Sequence, residues 1–268
     1  MNPILLGAVA YDPKVVTIWE GIRDYFREQG VPFDFALFSN YERQVEELLA
    51  GHIDIAWNTP LAHVRVKRRT DGRSVSLGMR DSDRDFHAKV VVRRDAGIEK
   101  LSDLLGKRLA VGSRDSTQAR ILPLYFLQQE GIDLDRVKMT SYDSDLGKHG
   151  DTGKSELDVL QALRDDKADA GTIGDLVWVN EQAAGHIDAS RIGVLYTTPG
   201  FDHCMFDALP TLAAPTREAF QRALFSMKWD NPAHRRLLEL EGLREWLPPR
   251  EEGYQSLEHA LASEVAIR

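Results

Sequence analysis

The sequence predicts a two-lobed α/β protein with a ligand cleft between its lobes. Two observations carry that class. Segments of strand and helix character alternate along most of the chain, which is the grammar of largely parallel sheets covered by helices. A thirteen-residue pattern also occurs twice, at Val45–Trp57 and at Leu160–Thr172, with Asp169 in the place of Asp54. Each copy reads as the end of an amphipathic helix feeding an x-Asp-x-Ala/Gly strand. Ligands of open α/β sheets sit beyond the carboxyl ends of the strands, so the repeat also says where a site should lie.

The elements follow in order. An apolar run over Ile4–Ala10 predicts a strand, and Asp12-Pro13 supplies a cap and a first-turn proline for the next helix. Val15, Val16, Ile18, Trp19, Ile22, Tyr25 and Phe26 are expected to form its apolar stripe, and Gly30 to end it. A strand is predicted at Phe33–Phe38, a helix at Tyr41–Ala50 and a strand at Ile53–Trp57. Thr59 then caps a helix whose first turn holds Pro60. Strands are expected at Ser74–Arg80 and His87–Arg93. A second lobe begins near Asp95, with a Gly turn and strand through Gly112 and a helix running to Gln129. Strands at Val137–Tyr142, Ala168–Ile173 and Ile192–Thr197 alternate with helices at 155–165 and from Asp175. The chain passes Thr198–Phe206 and finishes in helices starting near Pro215. Strand-like crossings are expected near 88–95 and 195–206.

The chain has 268 residues, 43% hydrophobic and 28% charged, enough apolar content for a full core. Its formal net charge of −8 argues against general nucleic-acid binding. The basic run Arg65, Lys67, Arg68, Arg69 and Arg73 reads as a solvated helix end. Cys204 is the single cysteine, so no intramolecular disulfide forms. No apolar run approaches the roughly 20 residues of a membrane span, and no membrane insertion is expected. The N-terminus enters a strand at once and lacks the features of a signal peptide. The expected location is cytoplasmic if Met1 is the native start, and periplasmic if the chain is a processed form.

Three turns share one design, a strand followed by a polar turn and a helix N-terminus: Tyr11–Pro13, Trp57–Pro60 and Ser113–Gln118. Free N–H groups and about half a positive charge at a helix start favour anions. In the Ser113–Gln118 segment, Ser116 and Thr117 can donate to an oxyanion and Arg114 can supply a charged fork. Asp115 counts against an anion unless it is capped or paired. Tyr11, Tyr41 and Trp57 can wall an organic ligand; Asn58 and Thr59 belong to the second turn. His203 and Cys204, as neighbours on a strand, should point to opposite faces, which argues against a dyad and leaves His203 as a cleft residue. The histidines show no metal-ligand spacing, and no phosphate-loop, dinucleotide or nucleophile-elbow motif is present. No metal or cofactor is expected.

The blocks His52–Leu61, Lys89–Arg93, Ile98–Gly112, Ser113–Pro123 and Ala168–Thr172, in this order, resemble the substrate-binding proteins of phosphate/phosphite/phosphonate ABC transporters. The resemblance covers about residues 4–210. It implies the type 2 periplasmic-binding fold, with lobes of 1–90 plus 203–268 and of 91–202, two hinge crossings and closure on a ligand. It also implies a small anionic ligand and an ABC transporter permease as partner. The family's Asp-Pro-x-Ser-Thr-Ser-Gly type of turn falls on Asp115, Ser116 and Thr117, with Gln118 and Ala119 replacing a third hydroxyl and a glycine. In the family, tyrosines and an acidic residue contact the rest of the ligand, and Tyr11 and Asp175 are the candidates for them here. Two further readings stay open. One is a cytoplasmic enzyme of lyase, decarboxylase or cofactor-biosynthesis type on the same fold, with His203, Asp175, His149 and Asp151 as acid/base candidates. The other is a ligand-sensing module.

Overall fold

In a computed structural model, residues 3–263 are described; Met1 and the 264–268 end of the expected first lobe lie outside them. The chain groups into two compact units. One comprises the chain through Asp85 together with Asp202–Tyr254; the other comprises Phe86–Phe201 and the final helix.

In chain order the first unit opens with β1 (Ile4–Val9), α1 (Lys14–Glu28), β2 (Phe33–Phe38), α2 (Tyr41–Leu49), β3 (Ile55–Asn58), α3 (Pro60–Arg69) and β4 (Val75–Arg80). The second unit holds β5 (Ala88–Arg93), β6 (Arg108–Val111), α4 (Leu122–Gln129), β7 (Lys138–Ser141), α5 (Lys154–Arg164), β8 (Ala170–Gly174), α6 (Asp175–Ala183) and β9 (Ile192–Thr197). The chain re-enters the first unit with β10 (Met205–Ala208), α7 (Ala214–Phe225), α8 (Pro232–Glu241) and β11 (Trp246–Leu247). It ends in α9 (Gln255–Ala262), which groups with the second unit and packs on α4. The expected lobe limits place 86–90 and 255–263 in the first lobe instead. Residues 86–90 differ because β5 pairs along its length with β8 and β9, and the final helix because it packs on α4.

The first sheet has the order β11-β4-β10-β3-β1-β2 and the second the order β7-β6-β8-β5-β9. In each, three strands run parallel around a central one, β2-β1-β3 and β7-β6-β8. The strand that follows each passage between units, β10 or β5, then joins antiparallel. The expectation of largely parallel sheets is corrected accordingly: both sheets are mixed. A strand that arrives from the other unit, rather than through a helical crossover on its own sheet, is free of the constraint that makes βαβ strands parallel.

Both faces of each sheet are covered, so successive strand residues serve opposite cores. Leu6 and Ala8 pack on the α1 side with Trp19 and Phe26, while Val9 and Ala56 pack on α2 and α3. Val16, expected in the apolar stripe of α1, falls instead on the solvent side of that helix. In the second unit Val90, Val92, Leu109 and Val111 face α4, and Val91 and Ala110 face α5.

The repeated aspartates have one structural role. Asp54 accepts from the Leu5 amide at 2.8 Å while its own amide donates to Leu5 O at 2.8 Å. Asp169 makes the same bracket on Arg108, accepting from the amide at 2.9 Å and donating to the carbonyl at 2.9 Å. Each aspartate thereby pins the start of the central parallel strand. Asp54→Ala and Asp169→Ala are each expected to cost about 1–2 kcal/mol, the worth of a backbone donor left without its charged acceptor. Urea denaturation checks this, and unchanged midpoints would refute the role.

Candidate functional site

The Ser113–Gln118 turn follows the carboxyl end of β6 and opens into a single π turn, Thr117–Ile121, that runs into α4. The helix expected to be continuous through Gln129 therefore begins wide, which is a recurrent feature of functional sites. Ser116 Oγ accepts from the Ala119 amide at 3.1 Å, which leaves its hydroxyl proton to donate elsewhere. Thr117 is fully buried, and its Oγ1 has no hydrogen-bond partner. Gln118 Nε2 donates to Glu156 at 3.2 Å, whereas its Oε1 has no partner.

The other predicted members of the turn are engaged differently. Ser113 donates to Asp145. Arg114 turns outward to Asp143, with Nε and Nη2 each 3.1 Å from the carboxylate, so the expected charged fork is not part of the turn. A neighbouring carboxylate is simply the stronger partner. Asp115 accepts from the Gly147 amide at 2.5 Å and lies 3.9 Å from His149 Nε2, so its charge is capped.

The loop after β7 folds over this turn. Gly150 has φ +87°, and a Cβ there would lie 2.5 Å from Ser116 Oγ and 2.6 Å from Gln118 Nε2. Glycine is thus required both for the backbone and for the approach. Ser155, on the first turn of α5, is buried with its Oγ unpartnered, 3.0 Å from where a Gly112 Cβ would stand. Glu156 beside it is buried and accepts from the Gly174 amide at 2.6 Å. Burial raises its carboxyl to about 7 against the pull of those donors, and Asp145 and Asp151 add to the rise. Sequence reading missed Ser155 and Glu156; the glycine-rich loop ahead of α5 was the available signal.

Asp175, at the start of α6, accepts from the His87 amide at 3.1 Å and pairs with Lys89 at 2.6 Å. Asp151 lies in the covering loop near Lys148, whose burial lowers its ammonium's pKa. These groups and His149 belong to the second unit, and His203 to the first.

Within the first unit Tyr11 is half-buried, with the Lys14 ammonium 5.9 Å from its ring centre. Trp57 does not wall a ligand: it lies in the core, 4.3 Å from Phe206 and 5.7 Å from Trp246 between ring centres, with Arg80 over its face. Tyr41 is likewise a core residue. Asn58 donates to Asp207 at 2.9 Å and accepts from Gln44 at 2.9 Å, so its amide is consumed by a buried network. Thr59 caps α3 through the Ala62 amide.

The expectation that His203 and Cys204 diverge is corrected. His203 Nδ1 lies 3.1 Å from Cys204 Sγ, because β10 begins only at Met205 and strand alternation does not govern the pair. Asp83, His203 and Cys204 bring ligand atoms within 4.8 Å. Arg80 already grips Asp83 through Nε and Nη2 at 2.7 Å each. A divalent cation there would face a guanidinium, so the donor set is a poor metal site.

The basic run on α3 is matched by carboxylates: Arg65 on Glu42 at 2.7 Å, Lys67 on Glu251 at 3.0 Å, and Arg69 on Glu46. No helix among the described residues is long and apolar enough to cross a membrane.

Two mixed sheets of matching strand order, one ending in a hydroxyl-bearing helix start, define a periplasmic-binding protein of the type 2 fold. A family model described as "ABC transporter, phosphonate, periplasmic substrate-binding protein" matches residues 8–254, and the chain belongs to that family. It is 23% identical over 229 residues to the probable ABC transporter phosphite binding protein PhnD1 of Prochlorococcus marinus (strain MIT 9301), covering 82% of this chain and 74% of that protein. The structure of PhnD1 from Prochlorococcus marinus (MIT 9301) in complex with methylphosphonate superposes with a TM-score of 0.75 at 19% identity, covering 97% of each chain. XAC2383 from Xanthomonas citri bound to ATP also gives a TM-score of 0.75 at 19% identity, over 98% of this chain and 96% of that one.

Proposed function

We propose that this protein seats a small phosphorus oxyanion, phosphite or an alkylphosphonate, on the Ser116–Thr117 turn and delivers it to an ABC transporter permease from the periplasm. The observation that supports this most is the pair of buried, unpartnered hydroxyls, Thr117 Oγ1 and Ser155 Oγ. A buried polar group left unpaired costs about 1–3 kcal/mol. Hydroxyls donating to an oxyanion at two helix starts turn that cost into binding. The relative PhnD1 is a probable phosphite binding protein, and its structure holds methylphosphonate; XAC2383, of the same fold, is bound to ATP, a larger phosphorus oxyanion. Ser116, Thr117 and Ser155 contact the anion. Gln118 stands where the family pattern places a hydroxyl, and its amide orients Glu156.

Glu156 sets the pH response. Its carboxyl is neutral below about 7 and charged above it. A neutral acid tolerates an adjacent anion, and a carboxylate repels it. Calorimetric titration with phosphite, methylphosphonate, sulfate and methanesulfonate is the test. At least one phosphorus oxyanion is expected to bind saturably, in preference to the sulfur oxyanions. Binding only to the sulfur anions, or to none, would overturn the reading. In the same titrations Glu156→Gln should match the parent protein well below pH 7 and bind tighter well above it. The ligand's own ionisation cancels in that ratio, and a pH-independent ratio would remove Glu156 from the account.

A further inference from the structure

A cavity of about 460 Å³ opens in the second unit where β5 ends and β9 begins. It lies at the sheet edge where β6 and β8 start, the edge opposite the Ser113–Gln118 turn. Four arginines, Arg93, Arg94, Arg164 and Arg191, line it above an apolar floor of Leu163 and Ile192, which are 0% and 4% exposed. Two of the arginines are committed to carboxylates. Arg93 pairs with Asp95 at 2.9 Å and Asp166 at 2.7 Å, and Arg164 with Glu181 at 3.2 Å. The two others differ. Arg191 stands 3.8 Å from Asp166, which Arg93 already holds. Arg94 anchors only its Nε, on Ala189 O at 2.7 Å, and has no acidic partner among the described residues. Its guanidinium lies flat over Gly193, where a Cβ would come within 3.1 Å of Cζ and Nη2. Of the two lining carboxylates, Asp95 is held by Arg93, and Asp188 accepts from the Ser190 amide at 2.8 Å and its hydroxyl at 2.6 Å; the Arg191 charge acts on both from the rim.

We propose that this cavity is a second ligand site, for a compact organic acid with a planar oxyanion head on an apolar body. A guanidinium held by one nitrogen, with both terminal nitrogens open, is a pre-set bidentate fork for such a head. Arg191 supplies the second charge at the rim, and Leu163 and Ile192 take the apolar body. The volume falls in the usual range of about 300–1,000 Å³ for small-molecule sites. This site is independent of the phosphorus-oxyanion turn, since it shares no residue with it.

The test is a fluorine NMR titration of the full chain with para-trifluoromethylbenzoate. Saturable binding is expected in the parent protein and, undiminished, in Ser116→Ala/Thr117→Val. Binding is expected to weaken about tenfold or more in Arg94→Gln/Arg191→Gln, through loss of the charge-assisted bonds. Gly193→Ala keeps every charge but tilts the fork, and should weaken binding while the thermal midpoint shows the fold intact. Equal affinity in both of the latter variants, loss of binding in the Ser116/Thr117 variant, or no saturable binding to the parent protein would each overturn the proposal.

Discussion

Thr117→Val is expected to make the ligand-free protein more stable and the ligand complex much weaker. The two side chains have nearly the same shape, so the exchange removes little besides the hydroxyl. That hydroxyl is fully buried, with no partner for Oγ1. Removing an unsatisfied buried group should return about 1 kcal/mol, a rise of roughly 2–4 °C in Tm for a chain of this size. A hydrogen bond to a charged group contributes about 1.5–3 kcal/mol, so methylphosphonate affinity should fall roughly 10- to 150-fold. Thr117→Ser retains the donor and should retain affinity. Thermal unfolding and calorimetric titration of the same samples read both effects. A merely structural threonine would give the reverse pair, lower stability and unchanged affinity. This opposition is the signature of a site whose polar groups are arranged for something other than the fold.

The sequence made much of this turn legible. A hydroxyl pair after a strand and before a helix has few uses, and Ser116 and Thr117 stand where local capping logic puts them. The partner of Arg114 is not legible locally because charge complementarity is settled in three dimensions: Asp143 lies 29 residues further along the chain, yet holds the guanidinium. The π turn is invisible to periodicity, since apolar spacing does not report which carbonyl an amide selects. Ser155 and Glu156 belong to another helix, and nothing local links them to Gly112 or Gln118. Among the strands, the limits expected for β2 and β9 are the observed ones, because both are continuous apolar or alternating runs bounded by breakers. β10 was not separated from the passage before it. It is four residues long and wholly buried, and carries Asp207 where a strand pattern calls for an apolar residue. The antiparallel entry of β5 and β10 follows from chain passage between units, a property of topology rather than of composition. The repeat at Asp54 and Asp169 pointed to two similar units for a sound reason, since both aspartates hold the central strand of their sheet.

Asp207 is also the source of the second large expected effect, on stability through His63. The imidazole is 1% exposed, with Nδ1 2.9 Å from Asp207 and Nε2 3.6 Å from Glu251. Burial alone would lower its pKa, but the Asp207 carboxylate outweighs it through charge and hydrogen bonding, with help from Glu251, and the net value rises from 6.5 to about 9. The folded state therefore holds the proton more tightly than the unfolded chain. The stabilisation is complete below pH 6.5 and drains away as pH climbs through about 9. At 1.36 kcal/mol per unit the difference is about 3 kcal/mol. Asp207→Asn keeps the shape and its bond to Asn58 but leaves a buried imidazolium without its main counter-charge, a break that typically costs about 3–5 kcal/mol. Urea denaturation across this pH range should show the parent losing stability toward alkaline pH while the variant, already destabilised at neutral pH, changes little. The gap between the two curves should therefore narrow as pH rises. If the variant keeps the parent's slope, then Glu251, not Asp207, holds the His63 proton, and the buried network around Asn58 and Gln44 is fixed by neutral hydrogen bonds alone.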